Sequence, residues 1–493
     1  DVYYYNPQKV PPVVNHGTPE FPEYAATRYY SSDFTEKRMV SYFGRLGYNY
    51  KQRYLLEFTF RRDGSSTFGE GNRWANFPSV AVGWSFSEEP FIKRLTGSWL
   101  NWGKIRGSYG KSGQTFTSAY LAHGLMNIMD KSFFGKTGIT TDKPVSPYLT
   151  WEKTRQYDLG LDMDMFNYRL NMKLDYYYKY TSSLIYDIPI PGSLYAFGAQ
   201  VENAMEISNE GLELELQADI LRESAVSWRM KFNMARNWNR FEKSYSGKDV
   251  VDGDGTLLVA GRPLNGLYVW AHRGYYNSDA EVPRLYKIDG QEIYFNGVAT
   301  DGISGAVGNY RLLDLDGDGN PDSYYAGSPL PLAHGGWVNE LMWKNFDLNV
   351  LVNFTIGRKM INNRMGLGFS RQSEDGHLTK LFDYRKLRPW DGVNKKPNAP
   401  AWGNSLSMNT DSAIEKVHHL ALKQITLGYN LPDRISKKAG LSGVRFFLTA
   451  ENLFYLSNYS GGNPEVVNIY TGRDNGDTYP LPRKYTLGLT LNF

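Results

Sequence analysis

The stretch RLNMKLDYYYKY, residues 169–180, alternates between apolar and polar side chains. The apolar or aromatic positions are Leu170, Met172, Leu174, Tyr176, Tyr178 and Tyr180, and the positions between them are mostly charged or polar. Because successive side chains of a β-strand point to opposite faces, the pattern predicts a strand with one apolar and one polar face. About 9–11 tilted residues cross a bilayer, whereas strands of soluble proteins average about 5–6 residues. The stretch therefore has the length of a membrane-crossing strand.

The same alternation recurs along the whole chain. It predicts thirteen strands, at about 37–49, 52–62, 76–86, 99–110, 154–165, 168–180, 205–220, 224–238, 334–344, 346–358, 418–430, 443–455 and 483–493. Carboxylates occur repeatedly on the polar faces, as a water-filled lumen would allow. We therefore expect an all-β fold, a transmembrane antiparallel β-barrel with apolar side chains outward and polar side chains inward.

The connections between these strands alternate in length. Short ones lie at 49–52, 166–167, 221–223 and 344–345, with moderate ones at 87–98 and 431–442. Long ones lie at 63–75, 111–153, 181–204, 239–333, 359–417 and 456–482. Tight periplasmic turns opposite long external loops are typical of outer-membrane barrels. Residues 1–36 would then be an external segment, and 37–493 the C-terminal part of a barrel. Bacterial barrels have an even number of strands, so we expect further strands upstream of these thirteen.

Composition excludes several classes of function. The 55 basic and 51 acidic residues leave a net charge of +4 without a basic block, so a nucleic-acid partner is not expected. Without cysteine there is no disulfide framework or thiolate metal site. No nucleophile elbow, phosphate-binding loop or zinc spacing is present, and a non-enzymatic role is expected. The adjacent His418 and His419 would point to opposite faces of a strand, which argues against a shared metal.

The segment LDLDGDGNPD, residues 313–322, is a candidate calcium loop. Asp314, Asp316, Asp318, Asn320 and Asp322 occupy alternate positions of the kind that converge on Ca²⁺ in an EF-hand loop. Position 12 is Tyr325, so the bidentate carboxylate of that loop is missing. The alternative is an acidic, glycine-rich surface turn that binds no metal.

Two groups of apolar side chains are candidate recognition elements. In the last predicted strand, Tyr485, Leu487, Leu489, Leu491 and Phe493 resemble the terminal signal read by the barrel-assembly machinery, although an ordinary amphipathic strand has the same pattern. In or near the long loops, the indoles of Trp270, Trp337, Trp390 and Trp402 are candidate substrate contacts. The alternative for each tryptophan is the aromatic girdle at the membrane interface.

Several strings resemble the SusC/RagA family of TonB-dependent outer-membrane transporters. They are SYFGRLGYNYKQRYLL (41–56), RRDGSSTFG (61–69), NRWANFPSVAVGWSFSEEPF (72–91), KIRGSYGKSG (104–113), WEKTRQYDLGLD (151–162), ISNEGLELEL (207–216), LDLDGDGNPD (313–322) and KNFDLNV (344–350). The resemblance implies a 22-stranded barrel, a plug domain that lies upstream of these residues, a SusD-like surface lipoprotein as lid, and energy supplied by the TonB complex. It also implies the outer membrane of a Gram-negative bacterium, typically of the Bacteroidota.

The sequence thus predicts a nutrient importer for oligosaccharides or peptides, in which this chain supplies the barrel wall and external loops next to membrane lipid. Calcium at residues 314–322 is the one candidate cofactor. One alternative is an outer-membrane receptor or scaffold that binds without transport. Another is a soluble, calcium-dependent carbohydrate-binding β-protein.

Overall fold

The computed structural model describes most of the chain from residue 36 onward. The described residues are 2–4, 30–32, 36–115, 119–124, 126–133, 136–141, 144–195, 197–222, 224–251, 257–281, 284–286, 292–294, 307–315, 322–363, 388–393, 396–401, 410–476 and 478–493. The segment expected to lie outside the barrel, 1–36, falls almost entirely outside this range, and its assignment stays a prediction.

Thirteen strands follow one another in a single antiparallel sheet, each hydrogen-bonded to the next in chain order. They are β1 Met39–Tyr50, β2 Tyr54–Ser65, β3 Trp74–Trp84, β4 Leu100–Gln114, β5 Glu152–Met165, β6 Leu170–Pro189, β7 Ala199–Leu221, β8 Val226–Lys243, β9 Ala333–Trp343, β10 Phe346–Asn362, β11 Ile414–Asn430, β12 Gly443–Ser457 and β13 Lys484–Asn492. All thirteen strands expected from the alternation are confirmed. Among the described residues, β1 and β13 are the two edges of the sheet.

Shorter elements fill the connections. Strand pairs outside the main sheet are Val2–Tyr4 with Tyr30–Ser32, Met126–Phe133 with Lys136–Thr141, Val250–Val251 with Leu257–Leu258, Leu267–Trp270 with Ser323–Gly327, His272–Tyr275 with Tyr310–Leu312, and Arg284–Tyr286 with Glu292–Tyr294. Arg473–Asp474 runs parallel to the end of β10. The α-helices are Pro90–Thr96, Gly192–Tyr195 and Asp433–Ser436, and single 3₁₀ turns lie at Phe86–Glu88, Asp279–Glu281, Asp411–Ala413, Lys437–Ala439 and Pro464–Val466.

One face of the sheet is a continuous exposed apolar surface. A row in register crosses β8 to β13 through Trp228, Leu341, Leu348, Leu427, Leu448 and Leu487. Leu427, Leu448 and Leu487 expose 46%, 49% and 81% of their surface. Soluble monomers rarely expose apolar patches larger than a few hundred Å², so this face is suited to contact with lipid.

The opposite face of the sheet is polar and carries ion pairs that join neighbouring strands or reach across one intervening strand. Arg106 Nε lies 3.0 Å from an oxygen of Asp162, and its Nη2 lies 2.5 Å from an oxygen of Asp175. Arg445 in β12 is paired in the same way with Asp347 in β10, at 2.6 Å. These charges occupy the alternate positions that the sequence assigned to the lumen.

Tight turns join the strands at one end. Lys51 and Gln52, the central residues of one turn, both have φ above +50°, as do Asn167 and Tyr168 at the centre of another. Two central residues with positive φ form the type I′ geometry that matches the twist of a hairpin. The Asn49 side chain supports the first of these turns by accepting a 3.0 Å hydrogen bond from the Gln52 amide. The long connections therefore gather at the other end of the sheet.

At the end with long connections, β6 to β8 extend beyond their expected limits. We expected β6 to end at 180 and β7 to begin at 205, but they reach Pro189 and Ala199. The extensions carry buried or half-buried apolar side chains, such as Ile185 packed with Val201, because loop segments cover them. Strict alternation is lost where both faces of a strand are covered, and so the sequence pattern missed these residues.

Within the part of the chain that is described, no helix is long and apolar enough to cross a membrane.

Candidate functional site

A cavity of about 970 Å³ lies among the loop segments at the end of the sheet that carries the long connections. Three parts of the chain form its main walls: the extended ends of β6 and β7, the loop segment 264–270 with Ser323 opposite, and the turn Tyr470–Arg473. Val251, Leu257 and Leu258, from a short strand pair, complete the described lining. Its volume lies near the upper end of the range of about 300–1,000 Å³ usual for ligand pockets.

A bulge in β6 shapes the first wall. Ser183 has a φ of +61°, and the pairing of β6 with β7 shifts register between Thr181 and Leu184. Asn203 stabilises this bulge, because its Nδ2 donates to the carbonyl oxygens of Ser183 at 2.7 Å and Thr150 at 2.8 Å. Bulges re-aim the side chains that follow them. Leu184, Ile185 and Tyr186 consequently all reach the cavity wall.

The second wall is built on a short antiparallel strand pair. Leu267 and Val269 are 4% and 1% exposed and pack with Ala326 and Ile361 in a small core. This core anchors Tyr268 and Trp270, which also line the cavity. The Tyr268 ring lies 5.7 Å from that of Tyr325. Burial raises the pKa of Tyr268, so its phenol is neutral at physiological pH.

The third wall is a turn that is fixed to β10 by backbone contacts. Gly472 has a φ of +62°, and a Cβ at this position would lie 2.6 Å from the Pro329 ring. The Gly472 carbonyl oxygen accepts a 2.8 Å hydrogen bond from the Ile361 amide. The Asn265 side chain donates to the Tyr470 carbonyl oxygen at 2.9 Å and so joins this turn to the second wall. Arg473 in this turn lines the cavity, and burial lowers the pKa of its guanidinium.

Next to the cavity, a polar brace connects loop segments that are far apart in the chain. Asp411 pairs with the His272 ring and accepts a 3.2 Å hydrogen bond from the Tyr324 hydroxyl. Tyr310 accepts a 3.1 Å hydrogen bond from Ser412 and stacks on Tyr275 with ring centres 5.3 Å apart. Burial raises the pKa of both tyrosines. The brace holds two strand pairs, Leu267–Trp270 with Ser323–Gly327 and His272–Tyr275 with Tyr310–Leu312, against the start of β11.

The tryptophans predicted as substrate contacts are distributed over different environments. Trp270 lines the cavity. Trp390 is half-buried and donates a 3.2 Å hydrogen bond to the Asn277 side chain. Trp337 lies in β9, paired with Phe232, on the exposed apolar face of the sheet. That position favours the membrane-girdle alternative for Trp337. Trp402 lies outside the described residues.

The candidate calcium loop is described only at its two ends. Asp322 is turned toward the loop backbone, where its Oδ2 accepts a 2.5 Å hydrogen bond from the Leu315 amide. Asp316, Asp318 and Asn320 lie outside the described residues. In the part of the chain that is described, no three acidic or histidine side chains are grouped to hold a metal. Calcium binding by residues 314–322 stays a prediction.

Two further site residues, Tyr470 and Arg473, gave no signal in the sequence. They occur in the segment IYTGRDN, which has neither alternation nor a recognised motif. Only the packing of residues 456–482 against the end of β10 places them beside Trp270. The last predicted strand is confirmed as β13, with Tyr485, Leu487, Leu489 and Leu491 on the apolar face and Phe493 just beyond it, 92% exposed. Recognition of this strand by the barrel-assembly machinery stays a prediction.

A long antiparallel sheet with an apolar outer face, tight turns at one end and a loop-enclosed cavity at the other defines the class of outer-membrane β-barrels. Residues 2–326 match the family described as TonB dependent receptor-like, beta-barrel. The chain belongs to this family.

Similar proteins agree with this assignment. TonB-dependent receptor P26 of Formosa agariphila is 32% identical, over 94% of this chain and 47% of the relative. TonB-dependent receptor SusC of Bacteroides thetaiotaomicron is 29% identical, over 96% of this chain and 45% of the relative. The solved structure of the RagAB peptide transporter superposes with a TM-score of 0.76 at 24% identity, covering 95% of this chain and 49% of that one. The resemblance to the SusC/RagA type is thereby confirmed, and the chain spans about half the length of these relatives.

Proposed function

We propose that the protein containing this chain is a nutrient importer of the SusC/RagA type in the outer membrane of a Gram-negative bacterium. The observation that carries the proposal is the pairing of an exposed apolar sheet face with a large, partly polar cavity among the loops at one end. The apolar face suits lipid, and the cavity suits a ligand approaching from outside the cell.

In this proposal the chain contributes binding and support rather than catalysis. The ion-paired polar face forms a rigid inner wall, and the braced loops form part of the substrate cavity. A SusD-like lipoprotein would cover the loops, and the TonB complex would drive release through the plug region supplied by the rest of the protein. The cargo would be an oligosaccharide or a peptide, the two classes of substrate between which the sequence did not decide.

Uptake by intact cells tests this proposal. Cells that carry the full-length protein and its proposed SusD-like lipoprotein would be given isotope-labelled pools of oligosaccharides and of peptides. We expect entry of one pool, with loss of entry when TonB is depleted or the protein is deleted. Trp270→Ala should reduce uptake, whereas Trp337→Ala, on the exposed apolar face of the sheet, should leave it near the wild-type rate. Binding at the cell surface without TonB-dependent entry would contradict import and favour a receptor or scaffold.

A further inference from the structure

A second cavity, of about 340 Å³, lies where β3 and β4 separate at the end of the sheet with long connections. Pairing between these two strands stops at Ser79 and Gly110, although both strands continue beyond that point. Pro78, the next residue of β3, has no amide hydrogen with which to extend the ladder. The described lining contains three cations, Lys111 of β4 with Lys153 and Arg155 of β5, and no aspartate or glutamate. We call this space the basic cavity.

The three cations belong to the apolar face of the sheet, not to the polar face. Arg155 is directly opposite Lys111 and lies two residues from Tyr157, which is in turn opposite Tyr109 and Tyr178. The rings of these three tyrosines form a row across β4 to β6, with centres 4.8 and 6.4 Å apart. Because side chains alternate along a strand, the cations share the face of this tyrosine row.

The cations lie where the membrane-crossing part of the apolar face ends. Residues 170–178 of β6 carry an apolar or aromatic side chain at every second position, close to the length of about 9–11 residues that crosses a bilayer. Tyrosine is enriched at the boundary between lipid and water, so the tyrosine row marks that boundary. Lys111 and Arg155 follow it on the side of the long connections, the external side of outer-membrane barrels. They are therefore at the depth of the lipid headgroups of the outer leaflet.

The charges of the basic cavity are not neutralised by the chain itself. Among the described residues, the side chains of Lys111, Lys153 and Arg155 have no ion pair or hydrogen bond. On the polar face of β4, by contrast, Arg106 is held between Asp162 and Asp175. Neighbouring like charges repel one another, and an anion placed among them removes this cost. Lysine and arginine are the side chains that bind phosphate best, as a point charge and as a bidentate donor.

The rest of the lining suits the sugar of a glycolipid. Trp74 is 45% exposed and lines the basic cavity, with the guanidinium of Arg62 lying 5.2 Å from the centre of its ring. Asn76 and Ser112 in the same wall offer uncharged hydrogen-bonding groups. Below the cavity, the tyrosine row and the apolar side chains of β4 to β6 offer a surface for acyl chains. Phosphate, sugar and acyl chain thus each have a matching part of one continuous surface.

We propose that the basic cavity binds a phosphate group of lipid A, the phosphorylated glycolipid of the outer leaflet. Lys111, Lys153 and Arg155 bind the phosphate, Trp74 contacts the sugar, and the acyl chains lie along the apolar face. The site goes beyond the import function, because it faces membrane lipid and not the polar side of the sheet. It would fix the depth of the barrel in the membrane.

Native mass spectrometry counts the lipids bound to the full-length protein, purified in detergent with its proposed SusD-like lipoprotein. The probes are lipid A, the same lipid A after removal of its phosphates, and inorganic phosphate. We expect lipid A to bind at a concentration about tenfold or more below that of the dephosphorylated form, a ratio in line with charge-assisted hydrogen bonds. Inorganic phosphate at an equal concentration should not displace lipid A, because it lacks the acyl chains that gain free energy by leaving water.

Variants assign this preference to the basic cavity. The triple substitution Lys111→Gln, Lys153→Gln and Arg155→Gln should lower the binding of lipid A to that of the dephosphorylated form. Arg155→Gln alone should weaken it several-fold, and Arg155→Lys should retain most of it. The matched control removes the same charges, one arginine and two lysines, at the opposite end of the sheet: Arg434→Gln, Lys437→Gln and Lys438→Gln. It should leave the preference unchanged. The heat-sensitive mobility shift of folded barrels verifies that each variant is folded.

Equal binding of the two forms of lipid A by the wild-type protein would overturn the inference. An unchanged preference in the folded triple variant would do the same, and so would displacement of lipid A by an equal concentration of inorganic phosphate. If the triple variant kept its preference but lost the lipoprotein during purification, the cations would instead contact that partner. Uptake of cargo plays no part in this assay, so the import function succeeds or fails separately.

Discussion

Arg358 in β10 donates a 2.9 Å hydrogen bond from Nη2 to the carbonyl oxygen of Val467, 109 residues farther along the chain. The same guanidinium donates to the carbonyl oxygens of Pro329, Pro464 and Asn468 at 3.1, 3.1 and 2.8 Å. Only 6% of Arg358 is exposed. One buried cation thus joins the segment before β9, the end of β10 and the loop that carries Tyr470 and Arg473. Arg358 is a positioning residue for the third wall of the cavity.

Replacing Arg358 should release this loop. Hydrogen bonds to a charged group contribute about 1.5–3 kcal/mol each, and Arg358→Met leaves several carbonyl oxygens without a donor. We expect amide hydrogen exchange in residues 464–472 to accelerate by about thirtyfold or more, equivalent to about 2 kcal/mol of local opening free energy. Arg358→Lys should give a partial effect, since an ammonium group cannot span all four carbonyl oxygens. Exchange rates equal to those of the wild type in Arg358→Met would show that the loop is held by other contacts.

The same loop should respond to acid through Glu465. His419 and Lys423 in β11 lower the pKa of Glu465 from its ordinary value of 4.5, with Lys423 donating a 3.1 Å hydrogen bond. Because this pKa is lower in the folded state, the ionised Glu465 carboxylate stabilises the folded loop fully above about pH 4.5. That contribution is lost as the pH falls through the lowered pKa. Lys423→Met should make the loop open at a higher pH, with His419 left as the remaining partner.

Hydrogen exchange of residues 463–467, corrected for the intrinsic pH dependence of the chemistry, measures this shift. Lys484→Met is the matched control, because Lys484 forms an exposed 3.6 Å pair with Glu451 at the edge of the sheet. Exposed pairs contribute little, so this variant should leave the acid transition unchanged. An identical acid transition in Lys423→Met and the wild type would show that Lys423 does not contribute to the acid response of the loop.

The two faces of the sheet should differ in how much a newly introduced charge destabilises the fold. Leu214 in β7 is paired with Leu174 and Met234 on the apolar face, whereas the nearby Gln217 is exposed on the polar face. Leu214→Arg should cost about 2–4 kcal/mol of folding free energy in a bilayer, while Gln217→Arg should be nearly neutral. Urea titration of the full-length protein in lipid vesicles, read as the heat-sensitive mobility shift of folded barrels, compares the two. Equal costs would mean that the apolar face does not contact lipid.

The main sheet was predictable because lipid on one side and water on the other impose a regular period of two on every strand. Residues 169–180 illustrate this, since Leu170–Tyr180 lies within β6 with each side chain on the expected face. The alternation of apolar and polar side chains ends after the bulge at Ser183, because loop segments cover both faces of the strand there. The consecutive residues Ile185 and Tyr186 both line the cavity.

The candidate site was predictable only in part. Trp270 was found because its residue type suggests recognition, but the same reasoning selected Trp337 on the apolar face. Arg473 and Tyr268 depend on contacts between segments about 200 residues apart, such as the hydrogen bond from Asn265 to the Tyr470 carbonyl oxygen. Such contacts leave no periodic pattern in a single sequence. Nothing in the sequence distinguishes a loop arginine that lines a cavity from a loop arginine that faces solvent.

Calcium binding by residues 314–322 can be decided directly. Tyr325 stands at loop position 12, where an EF-hand loop has a bidentate carboxylate. Its ring lies 5.7 Å from that of Tyr268 and beneath the guanidinium of Arg262, so it packs against these side chains and supplies no carboxylate to a metal. We therefore expect weak binding, with a dissociation constant of about 10⁻⁴–10⁻³ M, the range of extracellular sites. Calorimetric titration of the full-length protein with Ca²⁺ should show this binding, and the double substitution Asp316→Asn with Asp318→Asn should abolish it. Asp433→Asn, far along the chain in a short helix, should leave the titration unchanged. A flat titration of the wild-type protein at millimolar Ca²⁺ would identify the segment as a metal-free acidic turn.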